Sequence, residues 1–181
     1  VQIGMGRSGT LFAYQSEDIE PDIIALAKGL GGGFPVGAVM AKAEVGDAMV
    51  PGTHGSTFGG NPLAMRSANA VLELLLENDF LSNLRKMIVY FDKKMDELIK
   101  NDMQNNPIIF AKKGSGMLRG FQLNEVVTAG DFSNIAREKS LLLVGAAENT
   151  IRLLPPLNTS KEEVDNAFDI LNDIVLELKK T

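Results

Sequence analysis

The chain has 181 residues, 45% of them apolar and 23% charged, which is the composition of a globular domain able to bury a real core. A net charge of −5 with scattered basic residues argues against nucleic acid as a partner. The absence of cysteine excludes disulfides and thiolate metal sites and fits a reducing, cytoplasmic compartment, and the single histidine, His54, leaves no His-rich metal cluster.

No apolar run approaches the ~20 residues of a membrane span. The start, Val1-Gln2-Ile3-Gly4-Met5-Gly6, lacks both an initiator Met and the basic-then-apolar order of a signal peptide. It reads as a strand end in a fragment or processed chain. Gly4-Met5-Gly6-Arg7-Ser8-Gly9 satisfies the dinucleotide pattern G-x-G-x-x-G. That motif must open a helix of a βαβ unit, and no helical apolar stripe lies between Thr10 and Pro21. A glycine loop is the expectation.

Ile23–Ala27 is a short apolar run that suits a buried strand, and it ends at Lys28 and the turn Gly29-Leu30-Gly31-Gly32-Gly33-Phe34-Pro35. Val36–Ala41 reads as a second buried strand. A polar, glycine-rich loop fills Pro51–Gly60. Asn61-Pro62 then signals a helix start, Asn as cap and Pro at the first helical position. Leu63, Ala64, Ala68, Val71, Leu74 and Leu75 follow at helical spacing. Asn78-Asp79 interrupts before a second helix with Phe80, Leu84, Met87, Ile88, Phe91, Met95, Leu98 and Ile99 on one face. Asn101–Pro107 is a linker. Beyond it come short strands at Ile108–Lys112, Met117–Leu123, Leu141–Val144 and Thr150–Leu153, with a helix near Asp131–Lys139. Ser160 with Glu163 forms a capping box for a last helix striped by Val164, Ala167, Phe168, Leu171, Ile174, Val175 and Leu178.

Two segments carry the chemistry. In a P-loop the lysine follows the glycines; Lys28 precedes them, so a nucleotide triphosphatase is not indicated. A lysine at the end of a buried strand is held by its stem, and partial desolvation makes its neutral, nucleophilic amine accessible. The glycines after it let backbone pass close to a flat ligand. The alternative is a lysine exposed in a turn. The second segment, Gly52-Thr53-His54-Gly55-Ser56-Thr57-Phe58-Gly59-Gly60, places hydroxyls before a helix start, a place to hold an anion. Its alternative is an ordinary turn and cap, which is the reading given to Asn61.

Taken in order, Val1-Gln2-x-Gly4-x-Gly6-Arg7-x-Gly9, Pro21-Asp22-Ile23, Ala27-Lys28-Gly29-Leu30-Gly31-Gly32-Gly33-Phe34-Pro35, Gly55–Pro62 and Ile151-Arg152-Leu153-Leu154-Pro155-Pro156-Leu157 resemble the class III (ornithine-type) aminotransferases over nearly the whole chain. The likeness is greatest to the branch that acts on N-acetylornithine in arginine biosynthesis. The resemblance implies an α/β fold, the C-terminal part of a fold-type I transferase dependent on pyridoxal 5'-phosphate. Residues 1–77 would be the later part of the cofactor-binding large domain, 78–101 a connecting helix and 102–181 the small α+β C-terminal domain. Lys28 would carry the cofactor as a Schiff base and move the substrate proton. Val1 and Gln2 would be cofactor-binding residues, Gln2 near the phenolic oxygen. Thr57 would bind the cofactor phosphate across a homodimer interface, Ser56 would touch substrate, and Arg152 would grip a carboxylate with its fork. The substrates would be an amino acid and 2-oxoglutarate.

The chain departs from the family pattern in four places. The Asp-Glu pair that precedes the position of Val1 is absent, and so are the upstream phosphate loop and the aromatic that stacks on the ring. The family's Arg-Gly is Lys113-Gly114 here. The isolated chain is therefore expected to be inactive or nearly so. The rival readings are another class III member (ornithine or 4-aminobutyrate), a non-catalytic dimerisation or binding module, and a nucleotide-binding protein.

Overall fold

The computed structural model describes residues 1–104 and 106–180. The chain divides into two compact units, Val1–Ser82 and Asn83–Thr181.

The first unit opens on consecutive turns. Ser8 N–H donates to Ile3 O at 3.0 Å and Gly9 N–H to Gly6 O at 2.8 Å. Gly6 and Gly9 sit at φ of 89° and 91°, where a side chain would be strained. Only a 3-10 turn, Ala13–Ser16, follows, so the Gly4–Gly9 pattern does not open the helix that a dinucleotide site needs.

Strands β1 (Ile23–Leu26) and β2 (Ala38–Ala41) pair antiparallel, Ile23 opposite Ala41 and Leu26 opposite Ala38. Their expected burial is not found: Ile23 is 56% and Val39 69% exposed. Among the described residues the sheet has only these two strands, so there the apolar runs lack the covering layers that a strand apolar on both faces implies. Val36 stays outside β2 and packs on the glycine turn. A short helix, α1 (Ala43–Gly46), follows.

Helix α2 (Pro62–Leu76) begins as its sequence dictates: Asn61 Oδ1 accepts from Ala64 N–H at 2.9 Å, with Pro62 in the first turn. Ala64, Ala68 and Leu75 are its buried line. Leu63 and Leu74, expected on that face, are exposed.

Helix α3 (Phe80–Asp102) buries Leu84, Phe91, Met95 and Leu98. The stripe ends on Asp102, which is buried as well and belongs to the helix rather than to the expected linker. Asn105, within that linker, lies outside the described residues.

In the second unit a four-stranded sheet has the order β3-β4-β6-β5. Its strands are β3 (Ile109–Ser115), β4 (Leu118–Leu123), β5 (Val144–Ala146) and β6 (Thr150–Leu153), all antiparallel neighbours. The β3–β4 hairpin is tighter than expected because Gly114 and Gly116 turn at positive φ. Helix α4 (Ala129–Glu138) is capped by Thr128 and α5 (Lys161–Leu178) by the Ser160–Glu163 capping box. Phe121, Phe132, Met95, Met117, Ile151, Leu171, Ile174 and Val164 are almost fully buried. The rings of Phe91 and Phe168 meet edge to face at 5.2 Å.

Strand β5 begins where the expected strand Leu141–Val144 ends. Ser140 adopts φ of 64°, its N–H donates to Arg137 O, and Leu141 N–H returns to Ala136 O at 2.8 Å. That is a left-handed helix termination, and it spends the Leu141 N–H on the end of α4 instead of the sheet. Among the described residues no helix is long and apolar enough to cross a membrane, and no group of His, Asp and Glu is set to hold a metal.

Candidate functional site

Lys28 stands directly after β1. Ala27 is still extended at φ −162°, and Lys28 opens the 3-10 turn Lys28–Gly31 in the left-handed region, φ 52°. For a residue with a Cβ this conformation costs roughly 1–2 kcal/mol. The turn is closed by Leu30 N–H to Ala27 O (3.1 Å), Gly32 N–H to Gly29 O (3.3 Å) and Phe34 N–H to Gly31 O (2.9 Å). Leu30 and Gly31 are buried, but the Lys28 side chain is exposed. The desolvation expected for this amine is therefore not supplied by the described residues, because the strand before it is uncovered.

The glycines also differ from expectation. They were expected to clear space for a flat ligand. A Cβ on Gly31 would lie 2.8 Å from Val36 Cγ1, and one on Gly32 would lie 2.8 Å from Val71 Cγ2. Gly32 further requires φ of 58°. Two of the glycines thus seat the turn against Val36 and helix α2. Of the run after Leu30, only Gly33 has open space where a side chain would be.

The hydroxyl loop is a compact turn. Thr53 Oγ1 donates to Val50 O at 2.7 Å, and Gly59 N–H donates to Ser56 O at 3.2 Å. A Cβ on Gly59 would lie 3.0 Å from Ser56 Cβ, so a side chain there would crowd the turn and push Ser56 by a few tenths of an ångström. The Ser56 and Thr57 side chains are exposed, and among the described residues neither makes a hydrogen bond. His54 is exposed too. Asn61 is occupied locally, since its Nδ2 donates to Phe58 O at 2.8 Å while Oδ1 caps α2. Helix α2 thus starts at the hydroxyl loop and carries Val71 onto the turn that begins with Lys28.

Val1 and Ala27, the neighbour of Lys28, line one cleft of the first unit together with Met5, Phe12, Tyr14 and Ile24. The rings of Phe12 and Tyr14 stack at 6.0 Å. Gln2 is exposed and is not part of that lining.

Arg152 lies on β6 of the second unit, opposite Gly120 on one side and Val144 on the other. Arg119, one position before Gly120 on β4, shows what a structural arginine does in this sheet. Arg119 Nη2 is 2.6 Å from Asp92 Oδ1, its Nη1 donates to Gly114 O at 2.7 Å and its Nε to Gly116 O at 3.1 Å. Arg152 is on the opposite face, because Arg119 pairs with Leu153 and strand residues alternate. Its Nε is buried without a hydrogen bond among the described residues, and no carboxylate there lies within ion-pair distance. A guanidinium held on a strand without a protein partner among the described residues has donors left to pair with a carboxylate. Lys113, where the family has Arg, reaches Glu148 at the β5–β6 turn, so that pairing is local.

Sequence reasoning missed Val36 and Val71 as the partners of the glycines, and Met5 as a buried residue next to Gly29. It also missed Asp102, whose only signal was its place at the end of the buried stripe of α3.

The class-III aminotransferase family model matches residues 1–175. Acetylornithine aminotransferase 1 of Bradyrhizobium diazoefficiens is 42% identical over 92% of this chain and 40% of its own length. The acetylornithine aminotransferase of Aquifex aeolicus is 42% identical over 97% of this chain and 43% of its own. Among solved structures, Plasmodium falciparum ornithine delta-aminotransferase superposes with a TM-score of 0.91 at 31% identity, over 100% of this chain and 46% of that one. Acetylornithine aminotransferase from Elizabethkingia anophelis gives 0.87 at 35%, over 98% and 44%. The chain therefore spans less than half the length of the relatives it matches. The α/β architecture is that of pyridoxal-phosphate-dependent aminotransferases, and the chain belongs to the class III aminotransferase family.

Proposed function

We propose that the whole protein transfers the side-chain amino group of N-acetylornithine to 2-oxoglutarate, with Lys28 as the cofactor lysine. The observation that carries this reading is Lys28 itself, fixed in left-handed backbone at the head of a turn packed on α2. The choice of donor follows relatives near 40% identity named for acetylornithine.

The donor set suits pyridoxal phosphate: an exposed amine at a strand end and two unspent hydroxyls at a helix start. In this reading Lys28, Val1 and Gln2 hold the group, and Thr57 holds its phosphate from a second copy of the chain in a homodimer. Residues 1–77 then belong to the cofactor-binding domain, 78–101 to the connecting helix and 102–181 to the small domain. When bound, pyridoxal phosphate supplies an electron sink for the carbon that bears the amine. The Lys28 amine would take the proton from that carbon as a general base and, as a general acid, deliver it to the cofactor's C4′ carbon. Ser56 contacts substrate, and Arg152 orients a carboxylate through paired charge-assisted hydrogen bonds.

Kinetics of the full-length protein with N-acetylornithine, ornithine and 4-aminobutyrate test the proposal. The reading expects N-acetylornithine to have the highest kcat/KM and Lys28→Ala to abolish turnover. Transamination that survives Lys28→Ala refutes it. A second reading, an ornithine aminotransferase, is favoured by the TM-score of 0.91 to the Plasmodium enzyme and would show as preference for free ornithine. The isolated 181-residue chain is proposed to be inactive, and a Lys28-dependent absorbance band with measurable transamination by this chain would overturn that.

A further inference from the structure

We infer that Met5 is a positioning residue, pressed by the Gly4–Gly9 loop against the turn that holds Lys28. The inference deepens the proposed function and rests on the reading of Lys28 as the cofactor lysine.

The loop folds on itself. Arg7 N–H donates to Gly4 O, Ser8 N–H to Ile3 O, Gly9 N–H to Gly6 O and Gly6 N–H to Leu11 O. Its product is one buried side chain, Met5, 4% exposed. A Cβ on Gly29, the residue after Lys28, would lie 3.2 Å from Met5 Cβ and 3.8 Å from its Cγ. Bare backbone at Gly29 therefore rests on Met5. Both Met5 and Lys28 hold left-handed backbone, φ 53° and 52°. Residues with side chains keep that conformation only where their surroundings over-determine it. The Lys28 side chain is exposed, so packing on its stem does not aim the amine; its backbone does. Gly31 and Gly32 are braced by Val36 and Val71, and Met5 braces the end of the turn next to the lysine. An unbranched thioether fills such an irregular seat without forcing it.

The test is amide hydrogen exchange in the 181-residue chain at Leu30, Gly32 and Phe34, whose N–H groups close the turn. Met5→Gly accepts the left-handed backbone but removes the seat, and about 10-fold faster exchange is expected there. Phe121 and Ile151 in the second unit should not change. Met5→Leu should stay within about 3-fold of wild type. The swap Met5→Gly with Gly29→Ala returns a Cβ from the opposite side and should recover part of the loss. Should Met5→Gly unfold the first unit, Met5→Ala takes its place, with about 3-fold faster exchange expected. Turn exchange within about 2-fold of wild type in the variant used, or a swap no better than Met5→Gly alone, overturns the inference.

A second readout is borohydride trapping of pyridoxal phosphate, scored by mass on the Lys28 peptide against the other lysines. Met5→Gly should lower the preference for Lys28, and Met5→Leu should restore it. A wild-type chain with no preference for Lys28 counts against the cofactor reading, while the exchange rates still decide the role of Met5.

Discussion

Asp102→Ala should destabilise the second unit by about 3–4 kcal/mol, near the value for breaking a buried ion pair. Asp102 is 1% exposed; its Oδ2 accepts Ile109 N–H at 2.6 Å and its Oδ1 lies 2.9 Å from Lys179 Nζ. Alanine leaves the Ile109 amide buried without an acceptor, worth roughly 1–3 kcal/mol, and strips Lys179 of its counter-charge. Lys179 keeps the main-chain carbonyls of Asp102 and of Gln104, the latter at 3.0 Å, which holds its share to the lower end. Asp102→Asn retains an acceptor for Ile109 and should cost only about 1–2 kcal/mol. Urea unfolding, with amide exchange at Phe121 and Ile151 reporting the second unit, measures both. A loss below about 1 kcal/mol for alanine, or an equal loss for asparagine, refutes the reasoning. Replacing Lys179 by Met in the Asp102→Ala background should recover part of the loss, because no part-buried charge then remains without a counter-charge.

Gly32→Ala should cost about 2–3 kcal/mol, from the left-handed backbone and the 2.8 Å approach to Val71 Cγ2, and Val71→Ala should relieve only the contact part; thermal unfolding of the double variant separates them. Arg119→Ala should lower stability by about 2–3 kcal/mol through its ion pair and two carbonyl contacts, whereas Arg152→Ala should change stability by less than about 1 kcal/mol and raise the full-length enzyme's KM for the 2-oxo acid roughly 10- to 100-fold. Equal stability losses for the two arginines would sink that distinction. Asp165 is held at about 2, first by the Tyr90 hydroxyl and then by Lys94, well below its ordinary 3.8. A depressed carboxylate stabilises the fold above its unfolded value and loses that contribution as pH falls through the folded one, so the Tm difference between wild type and Asp165→Asn should be largest near neutral pH and shrink from about pH 4 towards pH 2.

The parts of the fold that were legible in the sequence are those decided within one or two turns of chain. Ser160 and Glu163 satisfy each other's helix-start groups, and Asn61-Pro62 does the same for α2, so residue type alone locates both starts. Strand β5 was displaced because Ser140 takes a left-handed cap that glycine more often fills, leaving no signal that the Leu141 N–H bonds back to the end of α4. The apolar runs of β1 and β2 announce strands correctly but say nothing of what covers them. The glycine turn was read as room for a ligand because Val71 is remote in sequence, and only folding brings its methyl group against Gly32. Arg119 and Arg152 are alike on paper; the alternation of the sheet sends one to Asp92 and leaves the other without an ion pair among the described residues.

Helix α2 has a consequence of measure. It fixes the phase and the span between the hydroxyl loop capped by Asn61 and the valine that seats the lysine turn. At about 1.5 Å of rise per residue the interval from Asn61 to Val71 is a ruler of roughly 15 Å. Inserting a single residue within it would lengthen the ruler by only about 1.5 Å but rotate Val71 by about 100°, off the glycine that receives it. The separation of the two chemistry-bearing loops is thus written in a residue count, and substitutions along the exposed side of α2 are free to vary while its length is not.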